Sequence, residues 1–88
     1  VAVYTTYGGK GWAIYGGTSV SAPIIAAIYA LAGNGAHING SFLYSHTSSL
    51  NDITSGKNGK CKQVYLCTTE HGYDGPTGLG TPKGIGAF

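Results

Sequence analysis

The stretch Gly16-Gly17-Thr18-Ser19-Val20-Ser21-Ala22-Pro23 runs straight into Ile24-Ile25-Ala26-Ala27-Ile28-Tyr29-Ala30-Leu31-Ala32, and this join decides how the rest of the chain is read. Two glycines, small hydroxyl residues and a proline precede nine consecutive apolar residues. That order predicts a tight turn feeding the N-terminus of a buried helix. Proline is tolerated in the first helical turn, where backbone N–H groups have no intrahelical partner. The helix is therefore expected from about Ile24 to Ala32. Ala, Ile and Leu propagate it, and Gly33-Asn34-Gly35 offers residues that accept the left-handed conformation at its end. Ser19 then lies where unpaired N–H groups and the positive end of the helix dipole converge. Ser and Thr at such a place are most often caps; it is also a favourable place for an oxyanion to develop beside a serine hydroxyl.

The chain has 88 residues, enough for one small domain with little core to spare. The predicted helix has no polar face, so it should be surrounded on all sides. A chain this short can hardly surround it, and the sequence is expected to be part of a larger fold or to pack against another chain. The apolar run is far too short to span a bilayer, which needs ~20 residues. No signal peptide is found at Val1, so any targeting segment is expected upstream or is absent. Charged residues make up 9% and the net charge is +2. Basic residues scattered among Gly and Tyr make no nucleic-acid patch; Lys57, Lys60 and Lys62 read as the decoration of a solvated loop. Low charge with 16 Gly and 7 Tyr suits a secreted protein with tightly turned loops.

Val1–Tyr7 and Trp12–Tyr15 are β-rich runs separated by Gly8-Gly9-Lys10-Gly11, which predicts a β-hairpin with a four-residue loop. That loop lacks the Gly-x-x-x-x-Gly-Lys-Ser/Thr spacing of a phosphate loop. From Asn34 to Ser49 the sequence is polar and turn-rich, with Phe42, Leu43 and Tyr44 expected to anchor it to the body of the protein. Asn39-Gly40-Ser41 is a formal glycosylation acceptor. His37 and His46 have no partners at recognisable spacing and read as surface or loop residues.

Cys61 and Cys67 bracket Lys62-Gln63-Val64-Tyr65-Leu66. Zinc wants more soft ligands at closer, paired spacing. A disulfide clipping a short hairpin fits better and implies an oxidising, extracellular compartment; closing so short a loop stabilises by about 2 kcal/mol. Two reduced cysteines in a cytosolic protein are the alternative. The stretch Glu70-His71-Gly72-Tyr73-Asp74-Gly75-Pro76-Thr77-Gly78-Leu79-Gly80-Thr81-Pro82 reads as a Gly/Pro loop. With Asp52 it supplies carboxylates and carbonyl-presenting turns, the hard oxygen donors that Ca²⁺ prefers, although not at EF-hand spacing. A solvated loop is the alternative.

Three motifs in order, Gly-Thr-Ser-x-Ser-x-Pro, then Asp-Ile-Thr-x-Gly, then Gly-Tyr-Asp-x-x-Thr-Gly-Leu-Gly-x-Pro, resemble the C-terminal part of the sedolisins. These are serine-carboxyl peptidases of the subtilisin-like clan. The resemblance covers essentially the whole chain. The serine string alone fits subtilisins too, but those usually carry His after the proline, where this chain has Ile24. The resemblance implies an α/β chain: the C-terminal fragment of a subtilisin-like fold, residues 1–88 forming the end of a peptidase domain. Its parts are a β-hairpin, a buried helix beginning near the nucleophile and a long calcium-binding loop. It implies Ser19 as the nucleophile, with its own N–H in the oxyanion hole. Asp52 and Asp74 would be carboxylate ligands of a structural calcium ion, with backbone carbonyls from Ile53, Glu70 and Gly72. Glu70 departs from the family, which commonly has Gly there.

The family's general base, a Glu, the acid that orients it and a further oxyanion-hole Asp all lie upstream of the serine, beyond Val1. A serine without a base is a poor nucleophile, so the chain alone is expected to be inactive. The implied function is that of a secreted serine endopeptidase acting on peptides or proteins, completed by the upstream part of the same domain. No nucleic-acid or membrane partner is implied. Rival readings are a subtilisin proper with an upstream His base, and a small secreted, calcium-stabilised, non-catalytic module in which Ser19 is a cap. A Ser19–Asp52–His71 triad has the chain order of α/β-hydrolases, but their Gly-x-Ser-x-Gly elbow is broken by Ser21.

Overall fold

The first elements are strands because their residues are β-branched and aromatic. In the computed structural model, which describes residues 1–9, 11–37 and 39–88, β1 (Ala2–Thr5) pairs antiparallel with β2 (Gly11–Ile14). The register places Tyr4 opposite Trp12. Their rings meet edge-on at 5.5 Å, a cross-strand contact that stabilises by roughly 0.2–1 kcal/mol. Val1 and Tyr15 exchange two further bonds beyond the strand ends, 2.7 and 2.9 Å. The connection is longer than the four-residue loop expected from the sequence. Strand pairing stops at Thr5 and Gly11, and Tyr7–Gly9 forms a 3-10 turn in which Gly8 and Gly9 both take φ 68°. Lys10, within the expected loop, lies outside the described residues.

The helix α1 spans Thr18–Ala32. It begins six residues before the expected Ile24, because Gly17, not Pro23, marks its start. Gly17 has φ 122° and ψ 173°, a backbone setting that a side chain would oppose. Pro23 therefore sits inside the helix, where its missing N–H removes the bond to the Ser19 carbonyl. Gly33 closes α1 in the left-handed conformation, φ 71°, its N–H donating to the Ala30 carbonyl at 3.2 Å. Within this chain the helix is not the buried rod that its composition leads one to expect. None of its residues is buried, and Leu31 is 76% exposed.

A second helix, α2 (Gly40–Ser45), stands where a polar loop was expected. Asn39 caps it, Oδ1 accepting from the Phe42 N–H at 3.1 Å. His46 is half-buried rather than a bare surface residue: its ring stacks on Phe42 at 3.9 Å and Nδ1 donates to the Phe42 carbonyl at 2.8 Å. After α2, β3 (Leu50–Asn51) pairs antiparallel with β4 (Thr81–Pro82), so the intervening residues form one large excursion tied at its base.

Packing is thin. Among the described residues only Ala87 and Phe88 are buried apolar residues. Phe88 packs edge-on against Tyr29 of α1 at 5.0 Å, docking the C-terminus on the helix. Ile25, Leu43, Tyr44, Leu79 and Phe88 line an apolar pocket of about 350 Å³. The chain measures 46 × 36 × 17 Å and exposes 6385 Å², against about 4,900 Å² for a compact monomer of its mass. Among the described residues no helix is long and apolar enough to cross a membrane.

Candidate functional site

Ser19 is the second residue of α1 and is exposed. Capping is not its role. The N-cap is Gly17, which has no side chain, and Ser19 Oγ makes no hydrogen bond among the described residues. The first turn closes instead through the Gly17 carbonyl, which accepts from the N–H groups of Val20 at 3.0 Å and Ser21 at 3.1 Å and from Ser21 Oγ at 3.3 Å. The N–H groups of Thr18 and Ser19 precede the first intrahelical bond and have no partner among the described residues. The double glycine leaves this approach open, since a Cβ on Gly16 or Gly17 would meet nothing within 4 Å. A free hydroxyl thus stands beside free N–H donors at the positive end of a four-turn helix, with clear access.

The other candidates cluster in the excursion between β3 and β4. Asp52 Oδ2 accepts from the Gly72 N–H at 2.8 Å. Asp74 Oδ2 accepts from the Glu70 N–H at 3.0 Å, and its Oδ1 accepts from the N–H and hydroxyl of Thr77 at 2.8 and 2.9 Å. The two carboxylates thus clasp the backbone of 70–74 from two sides. Asp74 has no exposed surface at all. Burial alone pushes its carboxyl up, but the bonds from Glu70 and Thr77 outweigh burial and hold it below the ordinary value of 3.8. Glu70 has a negative φ like every other non-glycine residue described, and Gly72 takes the positive one, φ 84°. Ile53 is half-buried beside Asp52 in sequence.

Thr77 was missed by the sequence reading. The available signal was the spacing Asp74-x-x-Thr77, since a short acidic side chain bonds N–H groups a few residues on.

Cys61 and Cys67 form a disulfide, Cα–Cα 5.8 Å, as expected. It does not clip a hairpin: the residues between it contain the 3-10 turn Val64–Leu66. This turn braces the acidic loop. The Gly75 N–H donates to the Tyr65 carbonyl at 2.7 Å, and a Cβ on Gly75 would overlap the Leu66 backbone.

The donor chemistry here is that of a hard cation site, two carboxylates and a carbonyl-rich loop. Asp52 Oδ1 takes no hydrogen bond among the described residues and Asp74 Oδ2 takes one, so both retain acceptor capacity. Among the described residues no group of three or more His, Cys, Asp or Glu side chains converges, so any such site would draw heavily on carbonyls. His71 stands 3.8 Å from Asp52 Oδ2 with its side chain 95% exposed, too far for a hydrogen bond, and no bond joins either residue to Ser19. The triad drawn from within the chain is not assembled.

The chain is 36% identical to tripeptidyl-peptidase SED1 of Arthroderma otae over an alignment of 91 residues, which covers 93% of this chain and 13% of that protein. It is 38% identical to tripeptidyl-peptidase sed1 of Aspergillus fumigatus over 79 residues, 80% of this chain and 12% of that protein. It spans about an eighth of the length of these curated relatives. No family model and no solved structure matches it.

Proposed function

We propose that this chain is the nucleophile-bearing segment of a sedolisin-type serine peptidase, with Ser19 as the nucleophile. The observation that carries the reading is the likeness of nearly the whole chain to two tripeptidyl-peptidases. The uncapped, accessible Ser19 at the N-terminus of α1 supports it. Ser19 Oγ attacks the scissile carbonyl, and the developing oxyanion accepts from the Ser19 N–H, stabilised by the end of the helix. Collapse of the tetrahedral species breaks the C–N bond, the amine leaving with the proton taken from Ser19. The acyl-enzyme that remains is hydrolysed by water to the free acid and the Ser19 hydroxyl.

The proton of Ser19 needs an acceptor. The chain's acidic side chains are Asp52, Glu70 and Asp74, and Asp74 is sealed among its donors. Neither Asp52 nor Glu70 hydrogen-bonds Ser19 among the described residues, so we assign the base to residues outside these 88 and expect the chain alone to be inactive. The large exposed surface and the open flanks of α1 accord with a segment that packs into the rest of a subtilisin-like peptidase domain. The names of the relatives make tripeptide release the first activity to assay, ahead of the endopeptidase cleavage that the sequence alone implied. A secreted setting suits the disulfide.

Asp52 and Asp74, with the carbonyls of Ile53, Glu70 and Gly72, would hold a structural calcium ion. When bound it would neutralise the two carboxylates and tie the excursion to its base. The melting temperature of the parent should then rise with added CaCl₂ and that of Asp52→Ala should not; an equal rise in both removes the site.

The catalytic assignment is tested in the active protein that bears this chain. Ser19→Ala should lower peptide turnover by ~10³-fold or more with the melting temperature kept, whereas Ser21→Ala keeps most of it. Full turnover by Ser19→Ala ends the assignment.

A further inference from the structure

We infer that Asn39 is an N-glycosylation site whose glycan coexists with the capping of α2. The acceptor triplet Asn39-Gly40-Ser41 lies wholly exposed, and no residue of α2 is buried. The amide orientation is fixed by its partners. The Phe42 N–H at 3.1 Å is a donor, so the atom facing it is Oδ1, and Ser41 Oγ donates to the same oxygen at 2.5 Å. Nδ2 is therefore not the atom that caps the helix, and it takes no bond among the described residues. A sugar attached at Nδ2 leaves the amide oxygen in place, so the cap, which stabilises by about 1 kcal/mol, survives modification. The hydroxyl that the acceptor triplet requires is held against the amide it serves.

The reaction forms a bond between Nδ2 and the anomeric carbon of an oligosaccharide donated by a polyprenyl diphosphate carrier. The glycosyl–phosphate bond breaks, the carrier diphosphate leaves with the bonding pair, and Nδ2 gives up one proton. The carrier and its transferase belong to the eukaryotic secretory pathway.

The test is to direct the full 88-residue chain into the secretory pathway of a yeast and record its intact mass from cells and medium together. The parent should run above 9.0 kDa as a glycoform ladder. Asn39→Gln and Ser41→Ala should each lose the ladder. Ser41→Thr, which preserves the triplet, should keep it. Release by an amidase that converts the modified Asn to Asp should place that Asp at position 39. Because Asp also caps helices, the active protein that bears this chain should melt, once released from its glycan, within a degree or so of its glycosylated form. A parent found only at the unmodified mass, or a ladder that persists in Asn39→Gln, overturns the site. A glycoform that melts well below the released form overturns the claim that glycan and cap coexist.

Discussion

Helix α1 is fifteen residues of regular backbone with no buried side chain, whereas the excursion from Leu50 to Pro82 has only two-residue strands at its ends yet holds the buried Thr69 and Asp74. The difference is one of where backbone hydrogen bonds are satisfied. A helix satisfies its own, so α1 can form while most of its apolar surface stays open, with Phe88 docked on Tyr29 at one place. An irregular segment must find acceptors elsewhere, and here Asp74 gathers Glu70 and Thr77 while Asp52 holds Gly72. Apolar sequence gives α1 its shape, and three polar contacts at a single carboxylate give the loop its shape.

If that contrast is right, the largest loss should come from the smallest polar change in the loop. Asp74→Ala strips the acceptor from two N–H groups and a hydroxyl and should lower the melting temperature on the order of 10 °C, followed by circular dichroism. A variant melting with the parent would erase the distinction between the two regions. The same carboxyl sets an acid limit. Its folded pKa lies below the ordinary 3.8, so its stabilisation is complete above that value and is lost as pH falls through the lowered one. Melting temperature against pH should therefore fall in this range for the parent and flatten in Asp74→Asn; parallel curves would show that the hub does not depend on ionisation.

A backbone change at the base of the excursion comes next. Gly80 has φ 100°, and a Cβ there would overlap the Asn51 carbonyl. Gly80→Ala should cost about 2 kcal/mol by forcing β3 from β4, readable in denaturant unfolding; a cost near zero would mean that the β3–β4 tie does not hold the loop. The smallest effect belongs to α1. Leu31→Gln, at a site 76% exposed, should change the stability of the isolated chain by no more than about 0.5 kcal/mol. A cost several times larger in the whole protein than in the isolated chain would sharpen the comparison, by showing that this flank is covered there.

The hairpin and the left-handed end of α1 were legible because aromatic and β-branched runs and a glycine after an apolar run each have one local reading. The start of α1 was misplaced because Pro23 imitates a first-turn proline, while the true signal, Gly17, shows only as a φ that side chains avoid. Helix α2 was hidden by its six-residue length, although Asn39 stands three residues before Phe42 and His46 four after it, the spacings of a cap and of a stacked helical pair. In the loop, residue type alone singles out Asp52 and Asp74, and both accept from backbone N–H groups of 70–77. The bonds from Glu70 and Thr77 to Asp74 are local spacings, whereas the reach of Asp52 to the Gly72 N–H crosses 20 residues of chain and has no local signal.

The most direct test of the nucleophile is covalent. The active protein bearing this chain would be treated with a serine-directed phosphonate, digested, and its modified peptide sequenced by mass spectrometry. One label per active molecule on Ser19, with activity lost in proportion, is the predicted result. A stoichiometric, inactivating label on Ser21 or on any other serine, with Ser19 unmodified, would contradict it.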